Sequence, residues 1–278
     1  MFISGFVMYY TYTPVSSVAD YLGYVRKKFM RLMPAFFLMG ILVGAGKTAA
    51  RLFIFVDNTA SLSLENFIFI LIKPIESYAS SLWYIYVLFA YFLIMPVILF
   101  LIRGNKIVLL AIAFMIHYIP LPRYFALDRI GEYMFVFSLG ICAVDYLDFY
   151  RSKLDRYGMV FLPLFALALI TMPIDTNYPL AKFVIGMASI PALHWLVRTR
   201  WFSKLSVFDY LGDFTFEIYL MNTVVIGFMK GLILRFVSWD GIHFMFIAPI
   251  LLLGGIWIPI LIKTKVFKKI PVLDKITN

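Results

Sequence analysis

Long apolar stretches, separated by short polar connections, run along almost the whole chain. The pattern predicts nine membrane-embedded helices, at residues 1–13, 29–46, 82–102, 107–120, 133–147, 158–173, 179–197, 214–234 and 243–262. A complete helical crossing takes about 20 residues, so 107–120 and 158–173 are short for one. The segment 64–75 is shorter still, and the charged residues at its ends are typical of an interfacial helix. The sequence therefore predicts an all-α, polytopic integral membrane bundle.

The first stretch differs from the others in length. Thirteen helical residues extend about 20 Å, whereas the hydrocarbon core of a bilayer is roughly 30 Å thick. We therefore expect residues 1–13 to form only part of a span.

Composition agrees with a membrane environment. Hydrophobic residues make up 63% of the chain and charged residues 14%, against roughly 45–50% and 25% in soluble domains. The single cysteine, Cys142, excludes a disulfide framework or a multi-cysteine metal site, and no metal site is predicted. The longest polar connections, 47–63 and 198–212, are loop-sized. A single membrane-embedded domain over residues 1–278 is the simplest prediction.

The distribution of positive charge predicts the orientation. If the nine spans alternate, one set of connections carries 17 Lys and Arg residues and the opposite set carries 6. Basic connections face the cytoplasm, so the C-terminus is expected inside. An odd number of spans then leaves Met1 outside, and one more helix is expected upstream. Sidedness and attraction to anionic membrane lipids account for the net charge of +10. Nucleic-acid binding is excluded as a function, because no soluble basic domain is present.

A cluster of basic residues lies at the cytoplasmic end of the second predicted span. It consists of Arg26, Lys27, Lys28 and Arg31, which we call the basic cluster. Guanidinium groups bind phosphate in a bidentate manner, so the cluster suits the phosphates of a nucleotide-like ligand. Such clusters also anchor spans at lipid headgroups, and the spacing alone leaves both interpretations open.

Four segments together resemble a known family. They are FISGF at 2–6, RKKFMRLMPAF at 26–36, SLWYIYVLFAYFLIMP at 81–96 and LGDFTFEIYLMNTVV at 211–225. In this order and spacing they resemble the landmarks of the membrane-bound acyltransferase-3 family, the O-acyltransferases of bacterial surface polysaccharides. The fucose 4-O-acetylase-like branch is the most similar, because no hydrolase domain is attached.

The resemblance implies an activity and a location. Members are typically ten-span bundles of the bacterial inner membrane. They transfer an acyl group, usually acetyl from cytoplasmic acetyl-CoA, to a sugar hydroxyl of a glycan or of its lipid-linked precursor. The basic cluster then becomes the expected acetyl-CoA site, with lipids, acyl-CoA and the glycan acceptor as partners.

Two departures concern the catalytic base. The family's histidine lies in the helix before the FISGF-like segment, which would place it upstream of Met1. In the late landmark, Asn222 stands where members commonly carry histidine, and an amide does not exchange a proton near neutral pH. The base is therefore unassigned, and a chain that starts at Met1 is expected to be inactive.

Several polar residues inside apolar stretches are candidates for chemistry. Glu217 lies within 214–234, where an ionisable residue is a functional candidate by default, although a pairing with Lys230 or with an arginine would make it structural. His117 is the histidine to test first, because it lies in an apolar helix toward the outer face. Asn222 is the third candidate. His194 and His243 lie near span ends and suit interfacial positions.

Aromatic residues form the candidate substrate site. Trp83, Tyr86 and Tyr91 begin the third predicted span, and Tyr219 belongs to the late landmark. Their rings could stack on a sugar, although an aromatic belt at the membrane surface explains Trp83 equally well.

Two other function classes remain open at this point. A transporter or flippase of polysaccharides or lipid-linked sugars would be expected to show paired inverted halves with broken spans. No such pairing is visible, although prolines interrupt several spans. A non-catalytic partner in glycan assembly is the other alternative.

Overall fold

A computed structural model describes residues 1–12, 14–51, 63–171 and 179–277. All regular structure in this part of the chain is helical, which confirms the predicted fold class. The helices are α1 Phe2–Tyr10, α2 Val18–Ala50, α3 Leu64–Ile72, α4 Trp83–Leu101, α5 Lys106–His117, α6 Leu127–Ala143, α7 Leu147–Thr171, α8 Pro179–Arg198, α9 Ser206–Asp213, α10 Thr215–Ile233, α11 Gly241–Lys265 and α12 Pro271–Ile276. Short 3₁₀ turns lie at Ser80–Leu82, Tyr124–Ala126, Phe202–Lys204 and Phe267–Lys269.

Five of these helical segments are long and apolar enough to cross a membrane. They are Val18–Ala50, Ser80–Leu101, Leu147–Thr171, Thr215–Ile233 and Gly241–Lys269. Shorter apolar helices lie at Lys106–His117 and Phe183–Arg198. Each of the nine predicted stretches falls on a helix, so the membrane-bundle architecture is confirmed. The number of complete crossings stays a prediction.

Helices extend beyond the apolar windows that predicted them. α2 begins at Val18, eleven residues before residue 29, because the Ser17 hydroxyl caps it by accepting a hydrogen bond from the Asp20 amide at 3.1 Å. The polar connection predicted at 198–212 contains α9. Residues 52–62, inside the other predicted connection, and residues 172–173, at the end of the sixth stretch, lie outside the described residues.

The chain forms two compact units. The first contains Met1–Ile141 and Phe214–Asn278, and the second contains Cys142–Asp213. In the first unit, α2 and α4 pack side by side in opposite directions. The Tyr21 hydroxyl donates to the Leu93 carbonyl at 3.1 Å, and fifteen residues further along α2 the Phe36 ring lies 6.0 Å from that of Tyr86.

The second unit is built on the pairing of α7 with α8. At Gly158 an added Cβ atom would lie 1.8 Å from the Trp195 ring, so the glycine makes room for the indole. An ion pair at 2.9 Å joins Arg198 to Asp155.

Two glycines in the first unit bring α1 directly against α6. A Cβ atom at Gly5 would lie 2.0 Å from the Phe137 carbonyl oxygen, and one at Gly140 would lie 2.1 Å from that of Phe2. Small residues allow such backbone contact between membrane helices. The glycine of the FISGF landmark therefore has a packing role at this crossing.

Candidate functional site

The first turns of α4 are where several helices of the first unit meet. The Tyr84 hydroxyl shares a hydrogen bond of 2.6 Å with the Ser4 hydroxyl of α1. The Tyr84 ring lies 5.1 Å from the ring of Tyr219 on α10. The Tyr219 hydroxyl in turn donates to the Ser81 carbonyl at 2.8 Å. We call Ser4, Ser81, Tyr84 and Tyr219 the tyrosine cluster.

The segment that leads into α4 is irregular and buried. Ser77, Tyr78, Ala79 and Leu82 are all buried, and the Ser77 hydroxyl donates to the Pro74 carbonyl at 2.8 Å. Non-helical backbone occurs at membrane depth only where protein covers it or where it lines a cavity. α4 therefore begins inside the protein, and its preceding carbonyls can serve as local acceptors.

A second group of aromatic and polar side chains surrounds Trp83. The indole stacks on Tyr133 with ring centres 5.4 Å apart, and the Arg129 guanidinium lies 5.9 Å from the indole. Arg129 also forms an ion pair with Glu132. The His117 ring approaches the Glu132 carbonyl at 2.8 Å through Nδ1. We call Trp83, His117, Arg129, Glu132 and Tyr133 the tryptophan cluster.

The contact of His117 determines its tautomer. A carbonyl oxygen only accepts hydrogen bonds, so Nδ1 carries the hydrogen in this contact. In the neutral ring the basic nitrogen is then Nε2. This arrangement, in which one ring nitrogen is fixed by a backbone acceptor, is what a histidine base requires.

Glu76, in the connection before α4, pairs with two basic residues. Glu76 lies 3.0 Å from the Lys73 ammonium and 3.7 Å from Arg123. The Lys73 hydrogen bond lowers the pKa of Glu76, so this carboxylate is ionised at neutral pH. Glu76 is therefore suited to stabilise the segment before α4 through its ion pairs, and it is poorly suited to accept a proton.

The basic cluster contacts α4 through Lys28. The Lys28 ammonium lies 4.5 Å from the centre of the Phe92 ring, whereas Arg26, Lys27 and Arg31 are exposed. Phe92 follows Trp83 by nine residues, which corresponds to about 13 Å along the helix axis. Lys28 and the two aromatic clusters therefore contact α4 at different levels along its axis.

Glu217 belongs to a buried ion pair. Its side chain lies 3.4 Å from the Lys263 ammonium, and the two residues are 4% and 1% exposed. Lys263 also lies 3.0 Å from an Asp274 oxygen and donates to the Thr277 hydroxyl at 2.9 Å. The structure thus pairs Glu217 with Lys263, while the Lys230 ammonium lies 4.9 Å above the Trp239 ring. This network joins α10, α11 and α12, which supports a structural role for Glu217.

The other predicted site residues have local partners. The Tyr86 hydroxyl donates to the Leu71 carbonyl at 3.0 Å. Tyr91 is fully buried, donates to the Ile130 carbonyl at 2.7 Å and stacks on Phe137. The Asn222 side chain accepts from the Thr223 hydroxyl at 3.1 Å. Of the four aromatic residues predicted to bind substrate, Trp83 and Tyr219 lie in the clusters at the start of α4, and Tyr86 and Tyr91 link helices.

The two remaining histidines have separate surroundings. His243 lies 2.7 Å from Asp240 at the turn before α11. His194, in the second unit, approaches the Tyr150 hydroxyl at 3.3 Å.

Comparison with protein families decides the identity of the domain. The model of the acyltransferase-3 family, described as an acyltransferase domain, matches residues 1–264. The chain belongs to the acyltransferase-3 family. Comparison with curated proteins and with solved structures gives no match. As an acyltransferase-3 protein, the chain is a membrane-embedded acyltransferase.

The landmarks of this acyltransferase converge in space. Ser4, Tyr84 and Tyr219 come from the first, third and fourth landmarks and meet in the tyrosine cluster, and the second landmark packs on α4 through Lys28. Sequence reasoning missed Ser4, Tyr84 and the α6 residues of the tryptophan cluster. The signal for the first two was their position inside landmarks. The α6 residues carry no comparable signal, because they lie outside all four segments.

Proposed function

We propose that this acyltransferase moves an acyl group, specifically acetyl, from cytoplasmic acetyl-CoA to a sugar hydroxyl of a cell-surface polysaccharide or of its lipid-linked precursor. The setting is the bacterial inner membrane, with a cytoplasmic C-terminus, and the nearest branch is the fucose 4-O-acetylase-like one. The observation that carries the proposal is the arrangement along α4. One helix contacts the basic cluster at Phe92 and the tyrosine and tryptophan clusters at its first turns.

The donor half of the site uses the basic cluster. Arg26 and Arg31 offer guanidinium groups, and Lys27 and Lys28 offer ammonium groups, to the phosphates of acetyl-CoA. The arm of the donor then follows α4 for about 13 Å to bring the thioester to the tyrosine cluster.

The acceptor half uses the tryptophan cluster. The sugar ring stacks on Trp83 and Tyr133, as aromatic side chains favour, and its hydroxyl lies against Nε2 of His117. In this proposal His117 takes the role of base that the family resemblance assigns to a histidine upstream of Met1. It accepts the hydroxyl proton while the sugar oxygen attacks the thioester carbonyl, and the carbon–sulfur bond then breaks. The leaving thiolate takes up the proton from the imidazolium, so the products are an acetyl ester and CoA.

The Ser4–Tyr84 pair supplies a donor for the developing charge. Two hydroxyl groups that share one hydrogen bond use only one of their two hydrogens, so the other can be donated to the carbonyl oxygen of the thioester. A donor aimed at that oxygen stabilises the tetrahedral intermediate.

The double substitution Arg26→Ala/Arg31→Ala is expected to weaken CoA binding at least tenfold. A hydrogen bond to a charged group contributes about 1.5–3 kcal/mol, and each 1.4 kcal/mol corresponds to about tenfold in affinity. Isothermal titration calorimetry of the purified protein with CoA measures the change.

The matched control for this experiment is Arg151→Ala/Arg200→Ala, two exposed arginines of the second unit, which should leave CoA affinity unchanged. Unaltered CoA binding in the Arg26→Ala/Arg31→Ala protein, combined with faulty membrane insertion, would show that the cluster is only a topology anchor.

A further inference from the structure

The Tyr24 hydroxyl is buried without a hydrogen-bond partner among the described residues. A buried polar group in this state costs about 1–3 kcal/mol, and most such groups in folded proteins are paired. Tyr24 lies on α2, two residues before the basic cluster. The protein therefore maintains an unfavourable group at the edge of its proposed donor site.

Tyr24 is one end of a row of aromatic rings that has a lysine at each end. The rings of Tyr9, Tyr12 and Tyr24 follow one another with centre distances of 6.2 and 6.0 Å. The Lys106 ammonium lies 4.0 Å from the Tyr9 ring, and the Lys28 ammonium lies 5.4 Å from the Tyr24 ring. The arrangement places a positive charge beside each end of a row of three tyrosines.

The contacts of Lys28 are of the kind that an anion can replace. Within the described residues its ammonium lies over two aromatic rings, those of Tyr24 and Phe92, and has no carboxylate partner. A cation–π contact contributes about 0.5–2 kcal/mol, and a charge-assisted hydrogen bond to a phosphate is among the strong polar interactions of proteins. The flexible Lys28 side chain can therefore turn from the rings to a phosphate and uncover the Tyr24 hydroxyl.

We infer that Tyr24 and Lys28 form a phosphate subsite, in which the Tyr24 hydroxyl donates to a phosphate oxygen and the Lys28 ammonium neutralises part of its charge. This inference rests on the proposed function for the source of the phosphate, which is the nucleotide part of acyl-CoA. A phospholipid headgroup presents the same chemistry at this depth, so the experiment separates the two sources.

A phosphate subsite at Tyr24 predicts a combination of stability and affinity changes that a purely structural tyrosine would not give. Tyr24→Phe removes the unpaired hydroxyl and keeps the ring, so the empty protein is expected to be equally stable or more stable. The same change removes a donor to the ligand, so CoA affinity is expected to fall about tenfold. A tyrosine that only packs, or whose hydroxyl holds the fold, would not combine these two results.

The test uses the full chain in phosphatidylcholine nanodiscs. Thermal unfolding is measured without ligand, and CoA binding is measured by calorimetry, for the native protein, for Tyr24→Phe and for Tyr10→Phe. Tyr10 is an exposed tyrosine of α1, so its substitution should change neither quantity. A second set of nanodiscs contains phosphatidylglycerol, and lipid retention after delipidation reports headgroup binding.

The outcomes separate the inference from the proposed function. Weaker CoA binding by Tyr24→Phe with unchanged or raised unfolding temperature supports the subsite. Absence of CoA binding in the native protein, with phosphatidylglycerol retention lost in Tyr24→Phe, supports a lipid-phosphate subsite and contradicts the acyl-CoA assignment. The subsite is overturned if Tyr24→Phe unfolds at a lower temperature than the native protein, or if Tyr24→Phe binds both ligands with native affinity. Either result overturns the subsite even if Arg26→Ala/Arg31→Ala abolishes CoA binding, which would still support the proposed function.

Discussion

Replacing His117 with glutamine is expected to lower acetyl transfer at least a hundredfold, because general base catalysis typically contributes about 10²- to 10⁴-fold. Glutamine retains a polar group that can contact the Glu132 carbonyl, as Nδ1 does at 2.8 Å, and it removes the basic nitrogen. The measurement is the rate of transfer from acetyl-CoA at saturating donor, with the purified protein in proteoliposomes.

His243→Gln is the matched control, because His243 lies beside Asp240 at the turn before α11 and outside both aromatic clusters. We expect it to retain native activity. Equal, near-native rates in the two variants would remove His117 from the mechanism and assign the base elsewhere.

Lys263→Met is expected to lower the free energy of unfolding by about 3–5 kcal/mol, the usual cost of breaking a buried ion pair. The substitution leaves the Glu217 carboxylate buried and takes away the ammonium that lies 3.0 Å from Asp274. Reversible unfolding in a detergent titration measures the loss.

A double substitution separates charge from packing. Lys263→Met/Glu217→Gln removes both charges that face each other at 3.4 Å, so it should recover much of the stability lost in Lys263→Met. If Lys263→Met unfolds at the same detergent concentration as the native protein, the ion pair does not hold α10, α11 and α12 together.

The helices could be predicted because membrane-embedded segments must be continuously apolar. Helix ends were less predictable. α2 starts where Ser17 caps it, and α6 starts at Leu127 with Asp128 and Arg129 in its first turn, because a helix continues into polar sequence that a hydropathy window rejects. The segment 64–75, predicted to be an interfacial helix, is helical at Leu64–Ile72 as α3, and its interfacial position stays a prediction.

Depth in the membrane could not be inferred from alternation of spans alone. Strict alternation puts the start of α10 at the cytoplasmic face and the start of α4 at the outer face. The hydrogen bond from Tyr219 to Ser81 instead places the two starts side by side. The segment before α4 is also buried, so α4 starts within the protein.

The candidate site was only partly visible in the sequence. The landmarks pointed to the right helices, but pairings such as Glu217 with Lys263 join residues far apart in the chain. Lys263 belongs to a basic C-terminal segment whose composition indicated only a topology signal. Tyr91 and Tyr86 appeared equivalent to Trp83 in sequence, and only packing shows that their hydroxyls donate to the Ile130 and Leu71 carbonyls.

In the proposed mechanism, α4 connects an acetyl-CoA site at the basic cluster to an acceptor site at Trp83. The most direct measurement is the transfer of radiolabelled acetyl from acetyl-CoA to a lipid-linked sugar in proteoliposomes. We predict that label reaches the sugar with the native protein and is reduced at least tenfold both by Arg26→Ala/Arg31→Ala and by Trp83→Ala. The proposed mechanism would be contradicted if the native protein bound CoA without labelling any sugar, or if both variants gave full labelling.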